Sequence, residues 1–195
     1  MEKGRIEAFS DGVIAIIITI MVLELKVPHG TDLADLRPMI PVFLSYVLSF
    51  VYVGIYWNNH HHMFQAVKEI RGGVLWANLH LLFWLSLTPF VTAWAGENHF
   101  ASGPIALYGV VLLMCGIAYY ILTRCLIASE PGSSSVLKSA VGNDFKGQLS
   151  VVVYAVAIAA AFWSAALACA LYVAVAIMWV IPDRRIESRL APRDK

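Results

Sequence analysis

Apolar runs long enough to cross a membrane follow one another through this chain with only short polar gaps between them. That feature removes a soluble fold, because a soluble domain of this length needs a polar exterior and no stretch here supplies one. Of the 195 residues 59% are apolar and only 14% charged, and the mean hydropathy is +0.71. The expected architecture is all-α and polytopic, one domain over 1–195, with spans at about 6–25, 39–64, 74–94, 104–128, 147–163 and 165–181. Pro28, Gly30 and Pro38 end the first span and delay the second, and Arg71-Gly72-Gly73 closes the second. Thr88-Pro89 marks a kink in the third. The apolar run 149–181 holds 33 residues, too many for one span of about 20, and Trp163-Ser164 reads as an interface and a cap that split it near Phe162.

Charge fixes the count and the orientation. With six spans, twelve of the fourteen Lys and Arg residues fall on the side of the two termini and only Lys26 and Arg37 on the other. A five-span chain would carry the C-terminal cluster, Arg184, Arg185 and Arg189 among it, to the wrong side. The expectation is a multi-pass protein of the cell membrane with both termini and the polar loop 130–146 cytoplasmic, the cluster touching anionic lipid at most as an extra. No signal-peptide cleavage pattern opens the chain, so the first span is expected to stay.

That first span begins with a carboxylate. An ionised Asp at a bilayer centre costs roughly 2.5 to 3.5 kcal/mol, so Asp11 is expected near one interface with a partner inside the protein. At about 100° per residue, Phe9, Gly12, Ile16, Ile20 and Leu23 share one face of the helix, while Asp11, Ile18 and Leu25 point roughly the other way. One face is left for symmetry mates or a pore, and the other fastens the helix to its bundle. Asp11 is expected to accept hydrogen bonds from His60 and Asn78, with the Trp57 indole as a further donor, tying the first span to the second and third. A proton relay through Asp11 and His60 is the competing reading. Thr19 has two open readings, an oxygen offered to a partly dehydrated ion or a back-bond to the carbonyl of Ala15. Glu24 reads as an interfacial anchor paired with Lys26 rather than part of a cation-attracting ring.

His60, His61 and His62 are consecutive, so their side chains fan out by about 100° each and cannot face one ion from one helix. A haem held by His62 and His80 is weaker than a pH-sensing cluster as an explanation of them. Cys115, Cys125 and Cys169 show neither metal-ligand nor disulfide spacing and read as packing residues.

Arg5-x-x-x-Phe9-Ser10-Asp11, then Trp57-x-x-His60 with Phe64, then Asn78 followed by Leu85-Ser86-Leu87-Thr88-Pro89-Phe90, resembles the bacterial homologues of transmembrane protein 175, the endosomal and lysosomal potassium channel. The resemblance implies a non-enzymatic, potassium-permeable channel: a six-span repeat that assembles as a homotetramer, with the first helices lining a central pore closed down by apolar side chains. Carried over by position, the constriction is Ile16, Ile20 and Leu23, with Thr19 one step off the stripe. Arg5, Phe9, Ser10, Asp11, Trp57, His60 and Asn78 form the structural motif network. Nothing like Thr-Val-Gly-Tyr-Gly is present to build a carbonyl filter. The implied partners are potassium ions in transit, further copies of the chain and membrane lipids, with no cofactor and no nucleic acid. The alternative from another class is a proton-coupled transporter or proton leak through Asp11 and the His60 cluster.

Overall fold

The computed structural model describes residues 3–67, 70–129, 137 and 144–180; Lys68, the serines 133–135, Lys138 and the cluster at Arg184, Arg185 and Arg189 lie outside them. Every regular element among the described residues is helical. Helix α1 is Lys3–Leu23, a short 3-10 helix Leu33–Met39 leads into α2, Ile40–Gln65, and α3 is Gly72–Ser86. Helix α4, Thr88–Glu97, continues the third span after a one-residue break, and α5 is Ser102–Ser129. Helices α6, Phe145–Ala161, and α7, Ala165–Val180, complete the bundle.

Four segments, Lys3–Leu23, Leu33–Gln65, Gly72–Glu97 and Ser102–Ser129, are long and apolar enough to cross a bilayer. Helices α6 and α7 are equally apolar but have 17 and 16 residues, which at 1.5 Å per residue gives about 24–26 Å against a hydrocarbon core of about 30 Å. Their sharp turn explains the pairing. Phe162 and Trp163 form it, Ser164 Oγ accepts the backbone N–H of Leu167 at 3.3 Å, and Trp163 is 96% exposed at the tip. The break between α3 and α4 also has a local cause. Pro89 sits in the first turn of α4, where its missing N–H is harmless, and the Leu87 N–H tightens onto the Trp84 carbonyl at 3.2 Å.

Helix α5 is the centre of the bundle, packed against α3 and α4 and against α6, while α1 lies outside, packed mainly on the side formed by α2, α3 and α4. Half of the most apolar stretch of α5 is buried, against 28% of that of α1. Lipid is as apolar as leucine, so close packing and internal hydrogen bonds must hold such helices together. The hydroxyls answer that need: Ser49 Oγ lies 2.6 Å from Thr92 Oγ1 and 2.9 Å from the Tyr108 hydroxyl, and the Tyr52 hydroxyl donates to the Tyr172 carbonyl at 2.6 Å. At the far end, Gly96 lets α4 approach α2 so closely that a Cβ there would meet the Val42 backbone at 2.6 Å. These contacts bring the start of α1, the end of α2 and the start of α3 to one end of the bundle, and the end of α1 and of α4 to the other.

Candidate functional site

The two faces of α1 have opposite fates. Ile6, Ser10, Ile14, Ile17 and Met21, spaced by four, four, three and four residues, are buried against the bundle. Phe9, Gly12, Ile16, Thr19, Ile20 and Leu23 are exposed, Ile16 by 58% and Leu23 by 79%. The stripe singled out by helical periodicity is thus the face this chain leaves uncovered. Asp11 and Ile18 lie on the flank, half-buried, rather than at the centre of the packed side, because the buried stripe runs through Ser10 and Ile17, about 100° away from each of them.

Five motif residues meet in a buried chain and a bond at its edge. Asn78, on α3, donates from Nδ2 to Ser10 Oγ at 2.9 Å, and its Oδ1 lies 2.9 Å from His60 Nε2 on α2. All three side chains are almost wholly enclosed, and the His60 ring also stacks on Phe64 with centroids 4.4 Å apart. One amide therefore ties three helices together. The Trp57 indole donates to Asp11 Oδ1 at 3.0 Å. The expectation that Asp11 would accept from His60 and Asn78 is corrected here: the serine, which shares the buried stripe with Ile14 and Ile17, meets α3, and the carboxylate one residue on faces Trp57 instead. Two members of the expected network stand apart from it. Phe9 is 54% exposed, and Arg5 is exposed with no carboxylate in ion-pair range among the described residues.

The Thr19 hydroxyl sits 3.1 Å from the Ala15 carbonyl and 2.9 Å from that of Ile16, so its hydrogen serves the helix while its oxygen stays on the exposed side. Beyond the stripe, Lys26 does not pair with Glu24 as expected. It bonds Glu97 at 2.5 Å, because the ends of α1 and α4 emerge side by side. The Lys26 ammonium is held above the usual lysine range, chiefly by the Glu97 hydrogen bond and charge, with a smaller push from Glu24. Glu24 instead ends a groove between α1 and α4 that Ile16, Ile20, Pro89, Phe90 and Ala93 also line.

The three consecutive histidines diverge. His60 faces Asn78, His61 stacks on Trp57 and bonds Gln65 Nε2 at 2.7 Å, and the buried Nδ1 of His62 has no hydrogen-bond partner. His80 Nε2 accepts the Trp84 indole N–H at 2.9 Å. Sequence reasoning missed the Ser10–Asn78 bond and the Lys26–Glu97 pair. The first was readable from the four-four-three spacing that puts Ser10 on the packed stripe; the second joins residues 71 apart and left no local signal.

Comparison with known proteins places this geometry. The family described as endosomal/lysosomal potassium channel TMEM175 matches residues 5–89, which take in nearly all of α1, the whole of α2 and α3, and Arg5, Phe9, Ser10, Asp11, Trp57, His60 and Asn78. A potassium channel of Chryseobacterium sp. (strain P1-3) is 57% identical over 190 residues, covering 97% of this chain and 98% of that protein. The mouse endosomal/lysosomal proton channel TMEM175 is 31% identical over 132 residues, 62% of this chain and 26% of that longer protein. The crystal structure of a lysosomal potassium-selective channel TMEM175 homologue from Chamaesiphon minutus superposes with a TM-score of 0.80 at 29% identity, over 93% of this chain and 98% of that one. With near-complete coverage of a 57% identical relative and the same helical architecture, this chain belongs to the TMEM175 family of ion channels.

Proposed function

We propose that this protein conducts potassium ions passively across the cell membrane through a central path lined by the α1 helices of four copies, with both termini cytoplasmic. Ile16, Ile20 and Leu23 form stacked apolar rings that constrict the path, and Thr19 offers its oxygen beside them. The observation that carries this reading is the character of the exposed face of α1. The exposed faces of α2, α3 and α4 carry large aromatics of the kind expected next to lipid, Phe43, Phe50, Trp76, Phe83 and Trp94 among them. The face of α1 carries one aromatic, Phe9 near its start, has no Trp or Tyr, interrupts its aliphatic residues with Gly12 and Thr19, and starts at an arginine. Such a face suits a narrow aqueous path better than a lipid contact. The potassium-channel relatives and the bacterial potassium-selective homologue support the choice of ion.

Ser10, Asp11, Trp57, His60 and Asn78 act as a fastening that holds α1 at a fixed rotation. Apolar rings conduct only where they are wide enough to stay wet or can open, so a fixed rotation decides which side chains meet the ion. A second reading, proton passage, is favoured by the name of the mouse relative. Asp11 and His60 share no hydrogen bond, since the carboxylate takes the Trp57 indole N–H and His60 Nε2 faces the Asn78 amide, so a direct relay between them has no support in this arrangement.

Purified full-length protein in planar bilayers under a potassium and sodium bi-ionic gradient tests the proposal. Ile16→Asn puts four amides in place of four branched alkyl groups, so the current should rise and discrimination between the two ions should weaken, with a smaller change in the same direction for Leu23→Ala. Unchanged conductance and reversal potential in Ile16→Asn would remove the pore face. A reversal potential that follows a pH gradient instead of the potassium gradient would establish the second reading.

A further inference from the structure

We propose that Arg5 sets a ring of positive charge at the cytoplasmic mouth of the conduction path, which limits how fast cations reach the path from that side without choosing among them. The proposal rests on the pore reading of α1. Arg5 precedes Phe9, Gly12, Ile16 and Leu23 by four, seven, eleven and eighteen residues, and at about 100° per residue all of them point within roughly 40° of it. It therefore continues the exposed stripe instead of joining the buried one.

Within one copy of the chain, no carboxylate among the described residues pairs with that charge. Arg5 is exposed, and the ion pairs among the described residues are Lys3 with Glu7 at 3.9 Å and Lys26 with Glu97. Glu7 is turned to the other side of α1 and matched by Lys3, and Asp11 Oδ1 takes the Trp57 indole N–H. Gly4 and Ala8 flank Arg5 and add no bulk or charge. Arg71, exposed at the start of α3 on the same end, adds to the positive field. An arginine never loses its proton in ordinary conditions, so the ring is permanent.

Distance decides which property the ring controls. Eleven residues of helix put Ile16 about 16 Å from Arg5 along the axis, roughly two Debye lengths at physiological salt. The field therefore acts on the local cation concentration at the mouth and has decayed at the constriction. Potassium and sodium carry the same charge and feel it equally.

Wild type, Arg5→Gln, Arg5→Glu and Arg5→Lys are compared in planar bilayers, with current carried from the cytoplasmic side in about 10 mM and about 1 M potassium chloride, where the Debye length falls from about 30 Å to about 3 Å. At low salt Arg5→Gln should raise the outward current roughly two- to fivefold and Arg5→Glu more, while Arg5→Lys matches wild type. At high salt all four should converge, and the potassium to sodium reversal potential should not move. The proposal is overturned if Arg5→Lys behaves as Arg5→Gln does, if the differences persist at high salt, if selectivity shifts, or if the charge-removing variants fail to assemble on size exclusion. Ile16→Asn recorded alongside separates the two readings. A change there with a flat Arg5 series rejects the ring and keeps the pore face; a silent Ile16→Asn rejects both.

Discussion

The two halves of α1 are held in different ways. In the first half, Ser10 and Asp11 are gripped by directional bonds from Asn78 and Trp57, the former completely enclosed. In the second half, Ile14, Ile17 and Met21 pack against the bundle, and past the end of the helix the Lys26–Glu97 pair is largely exposed. Packing between apolar surfaces tolerates small rotations inside lipid, because lipid competes for the same surfaces on nearly equal terms. A buried hydrogen bond does not, since a rotated donor is left unsatisfied at roughly 1 to 3 kcal/mol. The rotation that turns Ile16, Ile20 and Leu23 toward one side is therefore set about two turns earlier, at Ser10, and the far half follows.

The largest effect should come from the amide. Asn78→Ala strands both Ser10 and His60 in a water-free setting, and at roughly 1 to 3 kcal/mol for each unsatisfied group it should be among the most destabilising single changes in the chain. The measurement is thermal unfolding in detergent together with the fraction recovered as a single assembled species. Adding Ser10→Ala to Asn78→Ala should cost less than the sum of the two alone, because they share a bond. If Asn78→Ala is no worse than Ile14→Val, for which about 0.5 to 1.5 kcal/mol is ordinary, the contrast between the halves collapses.

Next come neighbouring residues on the two faces of the far half. Ile17 is 3% exposed and Ile16 is 58% exposed. Ile17→Asn buries an amide among packed side chains without a partner, at roughly 1 to 3 kcal/mol beyond the lost packing, and should reduce assembled protein severely. Ile16→Asn should leave assembly intact. Ile18→Asn should fall between them, since that residue is only half-buried. Yields that do not separate Ile16 from Ile17 would mean that the exposed stripe is covered by something other than a water-filled path.

How much of this could be read beforehand follows from what periodicity carries. The spans announce themselves by length, and the turn of the last hairpin falls at Phe162, Trp163 and Ser164, where an exposed tryptophan and a serine cap interrupt the apolar run. The exposed stripe was equally legible, since helical phase is local. Partner choice was not. Phase says that Ser10 and Asp11 differ by about 100°, but only the crossing of α3 over α1 decides which of them meets Asn78. The family resemblance grouped Arg5 with Asp11, whereas phase alone sets Arg5 with Leu23, five full turns apart.

A smaller effect is expected where the first half meets its edge. Trp57 is 45% exposed and Asp11 half-buried, so Trp57→Phe removes a donor from a carboxylate that can bind water instead. About 0.5 to 1.5 kcal/mol is the usual net value of such a bond, and the unfolding temperature should fall less than for Asn78→Ala. A larger loss would move the fastening from the buried amide to the indole.

The smallest effect should come from Lys26, and its pH dependence makes the case specific. The ammonium is fully exposed, and Glu97 raises its pKa above the ordinary lysine value of 10.5. A group whose pKa is raised on folding contributes its stabilisation in full below its unfolded value and loses it as the pH climbs through the raised one. Between about pH 7 and 9 the lysine is charged in both states, so whatever separates Lys26→Met from wild type should be constant there, small, and reduced by added salt as exposed pairs are. Only above about pH 10.5 should the two unfolding temperatures draw together. Thermal unfolding of both proteins at pH 7, 9 and 11, each at low and high salt, measures this directly. A Lys26→Met protein that unfolds as early as Asn78→Ala at pH 7 would show that the far half of α1 is clamped as firmly as the near half, and that its rotation is set at both ends.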